Sequence, residues 1–355
     1  MINRKKTRQV NVGGVKIGGG ADVTIQSMTK VETADVGRVV SQINALEKCG
    51  CDIVRVAVKN LMDAEAVRAI KKRINIPLIC DIHFDYRLAL KSIAGGADKI
   101  RLNPGNMRDS DEIAAVIKAA KKARIPVRIG VNSGSVIKVR GKGNSSVLVD
   151  AALGYIKLFE DFDFRDIIIS LKASDVVSTV ESYRRMAKLC DYPLHLGVTA
   201  AGSYDKGIVK SSIGIGALLL DGIGDTIRVS LTGDPVEEVI AGKRILSSLG
   251  LRNFGPDVIS CPTCGRCQVN LAAIVNELER KLTAYSLPLT AKRPLTIAVM
   301  GCEVNGPGEA READIGIAAG KKSGVLFKNG KIVKRVKESD FVKEILKFIK
   351  LKADS

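Results

Sequence analysis

The sequence predicts an α/β fold: a (β/α)8 TIM-type barrel over residues 1–249, then a short linker and a small α+β domain over residues 257–355. Three observations predict it. Eight short β-rich runs recur through the first 235 residues, each followed by a longer stretch with apolar residues three and four apart. The runs start 22 to 39 residues apart, which leaves room for one helix in each gap, and eight such βαβ units close a barrel. Beyond residues 250–256 the repeat stops and a cysteine-rich segment begins. A doubly wound open sheet is the structural rival. It would carry a Gly-rich fingerprint at its first βα turn, whereas Gly18-Gly19-Gly20 precedes the first run.

The β-rich runs are residues 23–29, 53–58, 77–84, 99–106, 127–133, 166–174, 193–199 and 226–231. Between them, residues 36–46, 63–72 and 111–123 show helical spacing, and a last barrel helix follows Asp234-Pro235. In the second region a helix is expected at 269–285 and a strand at 295–300. A Gly-rich turn then leads to strands at 315–318 and 324–327. Lys328-Asn329-Gly330-Lys331 is a hairpin signal because Asn-Gly suits a type I′ turn. An amphipathic helix over 340–351 closes the chain.

Lys and Arg number 56 against 38 Asp and Glu, a formal charge of +18 over 355 residues, so an anionic partner is expected. The basic N-terminus lacks the apolar run of a secretory signal. The most apolar stretch, Ile213 to Leu220, stops at Asp221, too short for a membrane span. The sequence therefore reads as cytoplasmic, with no membrane partner. In a reducing compartment its 8 cysteines point to metal or redox chemistry before disulfides.

Polar residues gather at the ends of the runs: Arg55, Asp81, His83, Arg101, Asn103, Arg128, Asn132, Ser170, Lys172, Thr199 and Ser230. A barrel builds its active site there. Arg55, Arg101, Arg128 and Lys172 would repel one another in one barrel mouth without an anion between them, and Arg forks suit phosphate oxygens. In the second region Cys261-Pro262-Thr263-Cys264 is a C-x2-C turn, and Cys302 returns after the next expected strand. Three such thiolates can hold a metal. With Cys267 the four cysteines could equally form a structural zinc site.

Longer motifs carry a resemblance over nearly the whole chain. They are Gln26-Ser27-Met28-Thr29, Arg101 to Asn106, Arg128 to Ser135, Gly222 to Ser230, Cys261 to Arg266 and Val304 to Ala310. Together they resemble the bacterial, two-domain 4-hydroxy-3-methylbut-2-enyl diphosphate synthase family. The resemblance implies an iron–sulfur oxidoreductase of non-mevalonate isoprenoid biosynthesis that reductively opens 2-C-methyl-D-erythritol 2,4-cyclodiphosphate to 4-hydroxy-3-methylbut-2-enyl diphosphate. It implies a [4Fe–4S] cluster on Cys261, Cys264 and Cys302 with Glu309 as the non-cysteine ligand, and Asn305 close to cluster and substrate. It also implies a homodimer in which the cluster domain of one subunit caps the barrel of its partner. The diphosphate cradle implied on the barrel side is Arg55, Arg101, Arg128 and Lys172, with Asn132, Ser230 and His83 as further substrate-binding positions. His195, early in its run, suits packing better than binding.

One departure matters. In Leu196-Gly197-Val198-Thr199-Ala200-Ala201-Gly202 the family pattern has a Glu where this chain has Ala200, and that Glu is taken as a proton donor. General acids contribute roughly 10² to 10⁴ in rate, so slow turnover is expected. Electrons must come from outside, for which the resemblance implies flavodoxin or ferredoxin. From Lys321 onward there are eleven Lys and Arg against four Asp and Glu, a basic face for an acidic carrier. Two other readings remain open. One is a phosphate-binding barrel enzyme similar to dihydropteroate synthase with a structural zinc module; the other is a basic zinc-ribbon nucleic-acid-binding protein. Aromatics at 4% and no Trp speak against base stacking.

Overall fold

A computed structural model of the chain describes residues 2–103, 109–134, 143–199, 201–283 and 294–353. It divides into two compact units, Met1–Leu251 and Arg252–Ser355. Among the described residues no helix is long and apolar enough to cross a membrane.

The first unit opens with an antiparallel hairpin that the strand periodicity did not signal, β1 (Val10–Val12) and β2 (Val15–Ile17). Eight parallel strands follow: β3 (Thr24–Met28), β4 (Ile53–Val58), β5 (Leu78–Ile82), β6 (Lys99–Leu102), β7 (Val127–Asn132), β8 (Ile167–Lys172), β9 (His195–Leu196) and β10 (Thr226–Ile227). They lie in the order β8-β7-β6-β5-β4-β3-β10-β9, and a bridge between Ile169 and Leu194 brings the two ends of that row together. Each expected run thus becomes a barrel strand. The last two shrink to two residues each.

One helix follows each barrel strand: α1 (Val36–Lys48), α2 (Leu61–Lys71), α3 (Tyr86–Ala94), α4 (Ser110–Ala123), α5 (Asn144–Asp161), α6 (Val176–Leu189), α7 (Tyr204–Leu220) and α8 (Pro235–Ser248). Their starts are chemically marked. Asp35, Asn60, Asp85, Asp109, Asp175 and Asp234 each accept a backbone N–H of the first turn, which satisfies one of the orphan donors there. Pro235 at the first helical position of α8 gives up an N–H that would be unpaired anyway.

The N-terminal hairpin has a structural purpose. Val10, Val12 and Ile17 pack against Ile53, Ile79 and Ile168 of β4, β5 and β8, so one end of the barrel is floored with aliphatic side chains. Polar residues on the same strands stand above that floor.

The second unit contains β11 (Asp257–Ser260), α9 (Leu271–Thr283), β12 (Thr296–Met300), α10 (Gly306–Glu312), β13 (Ile315–Ala319), β14 (Ser323–Lys328), β15 (Lys331–Lys337) and α11 (Phe341–Ala353). Its five strands run in chain order, parallel from β11 to β13 and antiparallel from β13 to β15. Period-2 alternation splits the core. Ile297, Val299, Ile315 and Ile317 face α9 and α11 through Leu278, Phe341 and Ile345, whereas Ala298, Met300 and Ala318 face α10 through Ala310 and Ala313. The small residues let α10 lie close to the sheet: a Cβ on Gly316 would stand 2.6 Å from the Ala310 carbonyl. Asn329 (φ 45°) and Gly330 (φ 79°) form the expected two-residue hairpin turn.

Candidate active site

Successive strand residues alternate between the two faces of a sheet, so the inward positions of the barrel can be read from any one of them. On β4 this is Arg55, and on β5 Asp81, with His83 just beyond. On β6 they are Lys99 and Arg101, on β7 Arg128 and Asn132, and on β8 Ser170 and Lys172. Arg55, Lys99, Arg101, Arg128 and Lys172 are all buried, five basic side chains against the single buried carboxylate of Asp81 in this group.

Asp81 is the hub. Its Oδ1 accepts from Arg101 Nη1 at 2.9 Å and its Oδ2 stands 3.3 Å from Arg55 Nη1. His83 Nε2 lies 3.0 Å from Arg101 Nη1 and 3.5 Å from Asp81 Oδ1. Arg101 Nη2 donates to the Gly130 carbonyl at 3.1 Å, and Arg128 Nη1 to Gln26 Oε1 at 3.4 Å. Two glycines make room for these heads. A Cβ on Gly130 would come within 2.5 Å of Arg101 Nε, and one on Gly197 within 2.9 Å of Lys172 Nζ.

The hydrogen bonding is incomplete, chiefly on the donor side, although the Asn103 Oδ1 acceptor is also buried without a partner among the described residues. Arg55 Nε, Arg101 Nε, Arg128 Nε, Lys99 Nζ and Gln26 Nε2 are buried without a partner among the described residues. An unsatisfied buried donor costs roughly 1–3 kcal/mol, more when charged. Several open donors in one barrel interior would suit an anion rich in acceptor oxygens.

Electrostatics agree. Burial alone would raise the Asp81 pKa, but Arg55, Arg101 and His83 outweigh it and hold the carboxyl well below its ordinary range. Burial lowers Arg55 to about 10, still protonated at neutral pH. Burial and the surrounding arginines push Lys172 well down, because here an ammonium has cations for neighbours. Asp81→Asn is expected to destabilise the barrel by about 3–5 kcal/mol, since it leaves two buried guanidinium groups uncompensated. A carboxyl with a depressed native pKa contributes stability that is complete above its unfolded pKa and lost as pH falls through the native one. The variant's melting temperature should therefore be lower at neutral pH and should converge with that of the parent in acid. Equal melting curves at neutral pH would refute the hub.

Ser230 sits in a second polar cluster. Arg228 Nη1 donates to Ser230 Oγ at 2.7 Å while its Nε and Nη2 engage Glu238 at 3.1 and 3.0 Å. Glu238, buried at the start of α8, also accepts from Ser27 Oγ at 3.1 Å and the Leu231 N–H at 3.1 Å, and pairs with Lys30 at 3.1 Å. Sequence reasoning missed Arg228, Glu238 and Lys99 as site residues. Strand periodicity could have found two of them, because Arg228 lies two residues before Ser230 and Lys99 two before Arg101. His195 is fully buried, with Nδ1 3.4 Å from Thr226 Oγ1 and its carbonyl bonded to the Tyr183 hydroxyl, a packing environment. Ala200 lies outside the described residues.

In the second unit the thiols gather around Gly301. The Gly301 N–H donates to Cys261 Sγ at 3.3 Å, and a Cβ on Gly301 would meet Cys267 Sγ at 2.4 Å. Cys302 follows directly. Backbone N–H groups of Asn305, Val304 and Gly306, at the start of α10, hold its thiol below the ordinary range. Cys264 is exposed, and the Arg266 backbone N–H and guanidinium lower it likewise. Thiols drawn toward thiolate are what metal ligation needs. Cys267 differs: its Sγ donates to the Val269 carbonyl at 3.3 Å. Glu309 and Asn305 are exposed at the start of α10. Among the described residues no three His, Cys, Asp or Glu side chains converge on a single metal ion. Cys261, Cys264, Cys302 and Glu309 fit a cluster by donor chemistry, with soft thiolates beside one hard, exchangeable carboxylate.

Fold and site together define a class: a (β/α)8 barrel with a cluster of buried basic side chains in its interior, carried on one chain with a cysteine-bearing α+β unit. The chain belongs to the GcpE family, matching the GcpE TIM-barrel domain over residues 7–243 and the GcpE protein C-terminal domain over residues 257–351. It is 53% identical over 352 residues to the 4-hydroxy-3-methylbut-2-en-1-yl diphosphate synthase (flavodoxin) of Clostridium perfringens, covering 98% of this chain and 99% of that protein. It is 51% identical over 358 residues to the Bacillus subtilis protein of the same name, covering 100% and 93%. Among solved structures, Xanthomonas albilineans dihydropteroate synthase has a TM-score of 0.51 at 12% identity, over 68% of this chain and 98% of that one. That likeness is one of barrel fold alone, and the sequence relatives separate this chain from that enzyme.

Proposed function

We propose that the chain reductively opens 2-C-methyl-D-erythritol 2,4-cyclodiphosphate in isoprenoid biosynthesis, yielding 4-hydroxy-3-methylbut-2-enyl diphosphate, the compound in the names of its relatives. The observation that carries the reading is the excess of buried cations with open donors inside the barrel. A cyclic diphosphate supplies the missing charge and the missing acceptors together. Two electrons and two protons enter, a ring C–O bond breaks, and one oxygen leaves as water.

The chain's own residues divide the work. Arg55, Arg101, Arg128 and Lys172 grip phosphate oxygens, and Asp81 holds the Arg55 and Arg101 forks in place. Asn132 and Ser230 complete the cradle, the latter braced by Arg228. His83, half exposed beside Arg101, is positioned to exchange a proton at Nε2. The aliphatic floor excludes water from below. A [4Fe–4S] cluster on Cys261, Cys264, Cys302 and Glu309 would supply single electrons and a Lewis-acidic iron, with Asn305 beside it. The working form in this reading is a cytoplasmic homodimer fed by flavodoxin, the carrier in its relatives' names.

The test is anaerobic turnover of the cyclic diphosphate with reduced flavodoxin, following the linear product by mass spectrometry. Product formation is expected, at a modest rate because Ala200 cannot donate a proton. Ala200→Glu should raise the rate at least ~10-fold. An unchanged rate would mean that another acid protonates the leaving oxygen, and no product from either protein would refute the activity.

A further inference from the structure

Lys99 opens β6, two residues before Arg101, so both side chains face the barrel interior. It is 0% exposed, and its Nζ has no hydrogen-bond partner among the described residues. Next to it is the aliphatic floor: Ile79, its register partner on β5, packs with the N-terminal hairpin. On its other side is the cation cluster. Arg128 of β7 and Arg55 of β4 act on it directly. The other charges and titratable groups around this interior are Asp81 from β5 and His83 just beyond it, Arg101 from β6, Lys172 from β8, Tyr183 from α6, His195 from β9, and Arg228 beyond β10 with its partner Glu238 from α8. Asp81 is already engaged by Arg55 and Arg101. Lys99 therefore has arginines for charged neighbours, hydrocarbon behind it and no exit to water.

An ammonium is unstable in that setting. The arginines keep their protons because guanidinium is so basic, whereas a buried lysine sheds its own readily. Burial, then Arg128 and Arg55, lower Lys99 well below its ordinary 10.5. Anionic oxygens arriving on Arg128 and Arg55 would cancel the two charges that disfavour the ammonium.

We propose that Lys99 is neutral in the empty barrel and takes up a proton when the diphosphate enters, which couples ligand binding to protonation of the barrel interior. The inference rests on the diphosphate reading of the pocket. The proton comes from solvent, because both phosphoryl groups of a cyclic diphosphate are diester-like strong acids, fully ionised at neutral pH. Lys99 is thus a positioning residue: it acts through Arg128 and Arg55, and its charge is present only when ligand is. By linkage, affinity falls as pH rises through the interval between the empty and occupied pKa values.

The experiment is calorimetric titration of the anaerobic full-length protein with methylerythritol cyclodiphosphate at neutral pH, in HEPES and in Tris, which differ in ionisation enthalpy. The difference in apparent heat counts protons. Uptake of roughly one proton per barrel is expected from Lys99, beside any taken up by Lys172, which burial and the same arginines lower likewise. Lys99→Met should still bind, with uptake reduced by that amount and a flatter dependence of affinity on pH. Lys99→Arg, permanently charged, should likewise lose the uptake. Binding heat identical in the two buffers would overturn the inference alone, as would undiminished uptake in Lys99→Met. Absence of any binding heat would overturn the diphosphate reading and this inference with it.

Discussion

Cys302→Ala is expected to leave a folded protein without iron and with no carrier-driven reduction above background. Three features single this thiol out. It is buried, it immediately follows Gly301 at the end of β12, and it receives backbone N–H groups from the start of α10, which favour the thiolate. Alanine retains the backbone geometry but removes one of the three sulfurs on which a cluster would depend. Cys267→Ala is the matched control. Its thiol hydrogen bond to the Val269 carbonyl marks it as a spectator, so iron content should stay that of the parent. Measured iron and acid-labile sulfide per chain decide the matter. Iron retained in Cys302→Ala and lost in Cys267→Ala would reassign the ligands.

Arg128→Met should have opposite effects on binding and on stability. Arg128 is among the largest fully buried side chains, its Nε has no partner among the described residues, and Arg55 and Arg101 both act on it. Without ligand it is a desolvated cation among cations, so a methionine of similar length should raise the melting temperature of the ligand-free protein. With ligand it is a central donor. Truncating one partner of a buried charged pair costs about 2–5 kcal/mol, equivalent to a KM rise of at least ~30-fold. A stabilising change that impairs function is the signature of a site held under strain for its ligand. Unchanged KM, or a lower melting temperature with unchanged KM, would mean that Arg128 serves packing instead.

The barrel was legible because its strands are short β-rich runs with polar ends, alternating with stretches whose apolar residues fall three and four apart. The Asn329-Gly330 turn was legible for a purely steric reason, since both residues adopt positive φ. The N-terminal hairpin was not. Val10, Val12, Val15 and Ile17 make strands of three residues, too short to stand out against a basic leader, and their role as a floor depends on residues far along the chain. Nor was α10: Gly306-Pro307-Gly308 reads as a turn, and only the close approach of Gly316 and Ala310 across the sheet gives a helix there a surface to pack on.

The candidate site divided in the same way. Residues at strand ends were found because position alone marks them. Lys99, one step deeper, resembles any lysine opening a strand until burial places it under Arg128. Glu238 looks like an ordinary first-turn acid of α8, and only the fold brings it to Arg228, Lys30 and Ser27. Long-range pairs of this kind have no local pattern to betray them.

The central claim is that an iron centre with one non-thiolate position serves an anion gripped by the barrel's buried cations. Electron paramagnetic resonance of the anaerobically reduced protein, recorded with and without methylerythritol cyclodiphosphate, tests it most directly. The account predicts about four irons per chain, a cluster signal that changes on adding the cyclic diphosphate, and an Arg128→Met protein needing far more ligand for the same change. A protein carrying zinc in place of iron, or a cluster signal indifferent to saturating ligand, would contradict it.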